Sequence, residues 1–245
     1  MKTSSQVPGS RWLAIAAAAL VLLVPVRVAS AQQVLWWTDA DLGYDVIPGA
    51  LTGAGLTFYH ATDQTDFNTQ LATGTYQLAI FGEQNSDVFG GSATELANYL
   101  AGGGKILGAT WKSANGMATF FDAAIASSNN SSITGSGPLF TGITTPITLT
   151  NPGWGIFSQG STGGSCLAMF EDATCAALLG NAGSTLLLGP LFDTYADHAQ
   201  GEQFVGNAAS LLIGQQTVTP EPTSIVLLAT GLAGVFGAAR RRKRG

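Results

Sequence analysis

The sequence predicts an α/β domain with a single doubly wound, mostly parallel sheet and an antiparallel hairpin extension in its C-terminal half. Two observations support this prediction. Through residues 34–109, short apolar runs rich in β-formers alternate with segments of helical periodicity. Beyond residue 126 the helical segments fade, and short apolar runs follow one another across turn-like stretches. Alternating strands and helices build a parallel sheet covered on both faces, whereas consecutive strands pair as antiparallel hairpins.

The first half of the domain supplies the parallel strands. Apolar β-forming runs predict strands over 34–38, 56–59, 76–81 and 105–109. Helical spacing of apolar residues predicts helices over 43–51, 65–72 and 93–100. The first of these helices is expected to stop at Gly53 and Gly55, since glycine favours helix ends.

The second half is expected to be less regular. A helix is predicted over 117–125, and the Ser/Asn/Gly stretch 127–137 indicates an exposed loop. Short strands are predicted over 147–150, 166–170, 176–179 and 184–188. A closing helix over 202–213 has an apolar side and ends at Gly214.

The charge of the domain excludes some classes of partner. Eight of the ten basic residues lie near the two ends of the chain, which leaves Lys105 and Lys112 against fourteen acids in 32–219, a formal charge of −12. Phosphate binding requires clusters of Lys and Arg, so nucleic acid and anionic lipid headgroups are excluded as partners of this domain. Cationic ligands, divalent metals and neutral glycans remain possible partners of the domain.

The two cysteines are expected to form a disulfide. Cys166 and Cys175 lie nine positions apart, and an oxidising compartment favours a disulfide between them across a hairpin. A zinc site is not expected, because no second cysteine pair exists and neither histidine stands nearby in the sequence.

The N-terminal residues 1–31 have the layout of a secretory signal peptide. Lys2 and Arg11 provide positive charge, 12–26 is apolar, and Ala29-Ser30-Ala31 resembles a small-residue cleavage site. The secretion translocon is therefore an expected partner, and the exported domain is expected over 32–214.

The C-terminal residues 220–245 form a tripartite segment after a short spacer, 215–219. Pro220, Glu221 and Pro222 cannot enter a helix and stay accessible, the uncharged run 223–239 is long enough to span a membrane, and a basic tail follows. The tail consists of Arg240, Arg241, Arg242, Lys243 and Arg244. Such a tail stays on the cytoplasmic side.

This C-terminal segment resembles the PEP-CTERM sorting signal of exported bacterial proteins. The resemblance implies a transmembrane helix that holds the chain in the membrane before processing, recognition by an exosortase-type protease, and delivery to the cell envelope, cell surface or extracellular matrix. An ordinary C-terminal membrane anchor is the alternative interpretation.

The turn after the fourth strand resembles the nucleophile turn of class I glutamine amidotransferases. In that family a glycine-rich lead and a strand are followed by G-x-C-x-G, and the cysteine attacks the substrate amide. Here the motif reads Gly108-Ala109-Thr110-Trp111-Lys112, so threonine replaces the nucleophile and lysine the second glycine. Thr110 with His198 as its base, oriented by Asp193 or Asp197, is the candidate catalytic set that the resemblance implies. Both departures from the motif count against catalysis.

Acidic and aromatic residues are the ligand-binding candidates. Asp39, Asp41, Glu83 and Thr110 follow predicted parallel strands and are expected at the carboxyl edge of the sheet, where ligands bind in open α/β folds. The acids could hold a cation or a sugar, and Trp111, with Trp36, Trp37 and Trp154, could provide stacking surfaces.

No bound metal or cofactor is predicted. Asp39, Asp41, Gly43 and Asp45 resemble the start of a calcium loop, but Ala50 stands where the bidentate glutamate belongs. Gly102-Gly103-Gly104 precedes a strand, so it is not a dinucleotide-binding turn.

Three hypotheses follow from the sequence. The first is a non-enzymatic exported surface or matrix protein, with extracellular polysaccharide as a candidate partner. The second is an amidotransferase-like or hydrolase-like enzyme using Thr110 or an acidic pair. The third is a glycan-binding or cation-binding domain.

Overall fold

Five parallel strands form one half of the sheet. The computed structural model describes residues 33–40, 43–111, 116–127, 130–150 and 157–214. The parallel strands lie in the order β2, β1, β3, β4, β11. Their bounds are β1 (Val34–Thr38), β2 (Phe58–His60), β3 (Leu78–Glu83), β4 (Lys105–Thr110) and β11 (Thr185–Leu188). The strand order brings the carboxyl ends of β1, β3 and β4 together at one edge.

Helices cover both faces of the parallel strands. They are α1 (Ile47–Gly53), α2 (Gln64–Thr73), α3 (Val88–Ala101), the single turn α4 (Met117–Phe120) and α5 (His198–Gly214). Residues of α1 and α5 share one apolar core with Val34 and Trp36 of β1. Residues of α2 and α3 share a second core with Leu35 and Phe81. The predicted doubly wound arrangement is therefore present.

Side chains explain where three of the helices begin. The carboxylate of Asp45 accepts from Ile47 N at 2.8 Å, so α1 starts later than the predicted 43. Asp63 caps α2 by accepting from Asp66 N, and Asp87 caps α3 by accepting from Gly90 N. The aspartate at 87 places the start of α3 five residues before the predicted 93.

Antiparallel strands extend the sheet beyond β11 and are more extensive than the predicted hairpin. Within the described residues the order continues β11, β10, β9, β6, β7, and β8 pairs with both β10 and β5. The bounds are β5 (Ala123–Ser127), β6 (Ser132–Gly135), β7 (Ile147–Thr148), β8 (Phe157–Ser161), β9 (Ser165–Phe170) and β10 (Cys175–Gly180).

Two predictions in this half are wrong. The helix expected over 117–125 ends at Phe120, because Asp122 has φ +56° and the chain then forms β5 against β8. The loop expected over 127–137 contains β6, which pairs with β7 and β9. Glu171 fixes the start of β6 by accepting hydrogen bonds from the backbone N–H groups of Ser131 and Ser132.

The predicted disulfide is present. Cys166 of β9 and Cys175 of β10 are bonded, with 5.7 Å between their Cα atoms. Irregular pairing between Cys175 and Leu178 shifts the register of this hairpin. The disulfide therefore closes the predicted hairpin, within the antiparallel extension.

The predicted signal peptide and sorting segment, including the span 223–239, lie outside the described residues. Among the residues that are described, no helix combines the length and apolar character needed to cross a membrane.

Candidate functional site

Asp39 organises the loop that follows β3. Its two carboxylate oxygens accept from the backbone N–H groups of Gln84 and Asn85, each at 2.6 Å, and from that of Ser86. These bonds join the carboxyl end of β1 to the loop after its neighbour β3. Asp39 therefore shapes the edge of the sheet by holding backbone, and its role in ligand binding stays a prediction.

Glu83 and Thr110 meet inside the sheet. They are register partners on β3 and β4, and the Thr110 hydroxyl donates to Glu83 Oε2 at 3.0 Å. Glu83 is 0% exposed and Thr110 is 1% exposed. The hydroxyl at the nucleophile position is thus buried and held by a carboxylate.

The rest of the nucleophile motif is shaped by packing. A Cβ on Gly108 would lie 2.8 Å from Phe121 Cζ and 3.0 Å from Phe81 Cζ, so glycine is needed there for aromatic packing. Trp111 is partly buried and packs against the core beneath α1 and α5. Lys112, which replaces the second glycine of the family motif, lies outside the described residues, as do Asp41 and Trp154.

His198 lies at the start of α5 and is exposed. Its ring stacks on Tyr44, with 4.0 Å between centroids and 3° between planes. The neighbouring Asp197 accepts from the side chain and backbone of Gln200, and these bonds lower the Asp197 pKa. The described contacts of His198 and Thr110 therefore involve different partners, and their dyad stays a prediction.

Tyr44 is anchored to α5 by a second contact. Its hydroxyl donates to Glu202 Oε1, and this hydrogen bond raises the Tyr44 pKa. Tyr44 is nevertheless 43% exposed, so a large part of the residue contacts solvent.

A cavity of about 490 Å³ lies beside the carboxyl end of β1. We call it the aromatic cavity. Its walls include Trp36, Thr38, Tyr44, Asp45, Pro48 and His60. Trp36 and His60 are register partners on β1 and β2, and their rings stack with 3.7 Å between centroids and 5° between planes. His60 is partly exposed, and its partial burial lowers its pKa.

Sequence reasoning identifies only one wall of this cavity. It predicts Trp36 as a stacking candidate, but it does not predict Tyr44, Asp45 and His60 as neighbours of that ring. Parallel pairing of β1 and β2 is the signal that could have revealed the Trp36–His60 contact. The contact between Tyr44 and His198 joins residues 154 positions apart, and no local pattern indicates it.

Groups of three or more His, Cys, Asp or Glu side chains able to hold a metal are absent from the described part of the chain. The sorting residues Pro220, Glu221, Pro222, Arg240, Arg241 and Arg242 lie outside it.

The fold is similar to that of solved amidotransferase-like structures. A protein from Thermoplasma acidophilum described as a GMP synthase component superposes with a TM-score of 0.53 and 10% identity, over 78% of this chain and 98% of the other. A glutamine amidotransferase from Thermotoga maritima gives a TM-score of 0.51 and 9% identity, over 77% and 99%. At such identities the likeness shows the fold alone.

The C-terminal segment of this chain carries a sorting motif. Residues 218–243 match the PEP-CTERM protein-sorting motif. The chain is thus a carrier of that motif, which implies processing by an exosortase and sorting to the cell envelope of a bacterium. No curated protein has a significantly similar sequence.

Proposed function

We propose that the protein acts without catalysis at the bacterial cell surface or in the extracellular matrix, where its α/β domain associates with envelope polymers. The PEP-CTERM motif at 218–243 supports export and sorting. The observation that carries the non-enzymatic part of the proposal is the buried Thr110, whose hydroxyl donates to the buried Glu83. A nucleophile must reach a substrate carbonyl, and a side chain that is 1% exposed does not.

The motif chemistry supports the same proposal. Threonine is a weak nucleophile unless a base activates it. The Thr110 hydroxyl donates to Glu83, and that carboxylate lies in the same buried layer as the hydroxyl. This arrangement is suited to joining β3 to β4 in the interior.

The catalytic test uses three forms of the protein: the wild type, Thr110→Ala and Thr110→Cys. Each is incubated with glutamine and with chromogenic amide and ester substrates. We expect no turnover above buffer from any form, including Thr110→Cys, because restoring the family's nucleophile does not expose the position. Wild-type turnover that Thr110→Ala abolishes would establish the amidotransferase-like or hydrolase-like alternative.

The sorting test follows the C-terminus of the exported protein by mass spectrometry. We expect a C-terminus near Pro220 in the wild type and an intact tail when Pro220 and Glu221 are both replaced by alanine. Recovery of the wild type with Arg240, Arg241 and Arg242 still attached would indicate an ordinary membrane anchor instead.

A further inference from the structure

We infer that the aromatic cavity binds a neutral sugar unit of a polysaccharide. This inference rests on the proposed function, since a surface protein without catalytic activity acts through what it binds. The site differs from the acids at 39, 41 and 83, which the sequence indicated as ligand-binding candidates.

The rings of the cavity suit the apolar face of a pyranose. Aromatic surfaces offer a large, rigid apolar contact area with a polar tip, which is the combination that sugars require. The exposed rings on the cavity wall belong to His60 and Tyr44. His60 is fixed by stacking on the buried Trp36, and Tyr44 is fixed by stacking on His198 and by bonding to Glu202. Both rings are therefore positioned before any ligand arrives, which lowers the entropy cost of binding.

Asp45 provides a polar group on the cavity wall. Its carboxylate can accept a hydrogen bond from a sugar hydroxyl. Trp36 forms the buried floor of the cavity: the residue is 4% exposed and its indole nitrogen is buried, so it supports the ring of His60 and does not bond to the ligand.

The size and charge of the cavity restrict the class of ligand that it can bind. A volume of about 490 Å³ falls within the range of roughly 300–1,000 Å³ that is typical of small-ligand sites. Within the described residues, the cavity walls include one acidic residue, Asp45, but neither lysine nor arginine. A uronate or sulfate would meet a like charge without a cationic partner on those walls, so neutral sugars are favoured over acidic ones.

A second cavity of about 530 Å³ does not offer the same chemistry. It lies at the opposite edge of the sheet, where Tyr76 and Tyr99 contribute to its wall. Their hydroxyls already donate to Gln70 Oε1 and to the Tyr76 carbonyl. Tyr76 and Tyr99 are also buried, at 8% and 6% exposed, whereas Tyr44 is 43% exposed, so the aromatic cavity is the better candidate for ring stacking.

Calorimetric titration of the full-length protein tests the inference. A zwitterionic detergent should keep the chain in solution, because detergents with sugar headgroups would compete for the site. The neutral probes are cellohexaose, mannohexaose and maltohexaose, and hexagalacturonate is the acidic probe. We expect at least one neutral probe to bind and the acidic probe to bind at least about tenfold more weakly.

Variants of Tyr44 separate ring stacking from other effects. Tyr44→Ala should weaken binding of the neutral probe by about tenfold or more, whereas Tyr44→Phe, which keeps the ring, should remain within about threefold of wild type. Met169→Ala is the matched control: Met169 is 38% exposed on β9, away from the cavity, and its loss should leave affinity unchanged. Circular dichroism confirms that each variant is folded.

Two results would overturn the inference: no binding of any neutral probe to folded wild type, or unchanged affinity in folded Tyr44→Ala. Neither result bears on the turnover and mass-spectrometric tests above, so failure of this site is distinguishable from failure of the proposed function.

Discussion

Thr110 shows how one buried residue changes the meaning of a motif. Its place in the chain corresponds to a catalytic cysteine in the amidotransferase pattern, but its hydroxyl donates a hydrogen bond to a buried carboxylate. Burying Glu83 at 0% exposure is costly unless its oxygens have donors. Thr110 is therefore expected to contribute to stability through this bond.

Thr110→Val tests this expectation, because valine keeps the shape and removes the hydroxyl. We expect the free energy of unfolding to fall by about 1–3 kcal/mol, since a buried acceptor loses a donor. Urea denaturation measures the change. Thr134→Val, at an exposed position on β6, is the control and should stay close to wild type. Equal stability of the two variants would contradict a role for the Glu83 bond.

His60 is expected to make the stability of the fold depend on pH, with a sign that follows from its lowered pKa. Burial lowers its pKa in the folded state, so the unfolded chain, with a histidine pKa of about 6.5, binds the proton more readily. The stabilising contribution is therefore present above about pH 6.5 and is lost as the pH falls through the unfolded pKa towards the lower folded one.

Urea unfolding of the wild type and His60→Gln at about pH 7.5, 6.5 and 5.5 measures this contribution. We expect the wild type to lose more stability than His60→Gln as the pH falls. His198→Gln replaces the other histidine of the chain and is the control. In this variant the contribution of His60 to the change in unfolding free energy with pH should be the same as in the wild type. Parallel pH profiles for the wild type and His60→Gln would refute the assignment.

At the scale of elements, α1 and α5 approach closely at glycine. A Cβ on Gly206 of α5 would lie 2.9 Å from the Ala50 carbonyl oxygen of α1, and backbone cannot move aside as a side chain can. The helix pair supports the aromatic cavity, because Pro48 of α1 lines it and His198 of α5 holds Tyr44.

Gly206→Ala should therefore separate the two helices and lower the free energy of unfolding by about 1–3 kcal/mol despite the better helix propensity of alanine. Gly53→Ala is the matched control, because a Cβ at Gly53 of α1 meets nothing within 4 Å. We expect that variant to match wild type or gain up to about 1 kcal/mol. Urea denaturation compares them, and a neutral Gly206→Ala would exclude tight packing at this crossing.

Local patterns predict the parallel elements better than the antiparallel ones. Strands β1, β3, β4 and β11 are continuous apolar runs because they are buried on both faces, and such runs are visible in the sequence. The alanine-rich residues 123–126 suit either helix or strand, and pairing with β8 decides the outcome. Local sequence does not reveal β6, because the strand is fixed by distant bonds: Ser132 and the preceding Ser131 donate to Glu171, 39 and 40 positions away.

At the scale of the whole molecule, the excess of acidic residues makes the side chains of the domain repel one another. Residues 32–214 contain fourteen acids and two lysines. Unscreened repulsion of this size destabilises the compact state. Salt should relieve it, because the screening length falls from about 30 Å at 0.01 M to about 8 Å at 0.15 M.

We therefore expect the midpoint of thermal unfolding of residues 32–214 to rise when NaCl increases from about 10 to about 150 mM. Scanning calorimetry measures the midpoint, and KCl at equal ionic strength should give the same shift because screening does not depend on the ion. A midpoint that stays flat or falls would show that repulsion among the acids does not limit stability.

The sequence alone determined the sorting signal of this protein, its acidic character, the disulfide pair and the parallel half of the sheet. These properties depend on residues close together in the chain, or on composition, and need no knowledge of distant contacts. Tertiary structure decided that Thr110 is buried against Glu83 and that Trp36, Tyr44 and His60 line one cavity. It also decided that His198 stacks on Tyr44. Those outcomes depend on which strands and helices become neighbours, and that choice is made by packing of the whole core.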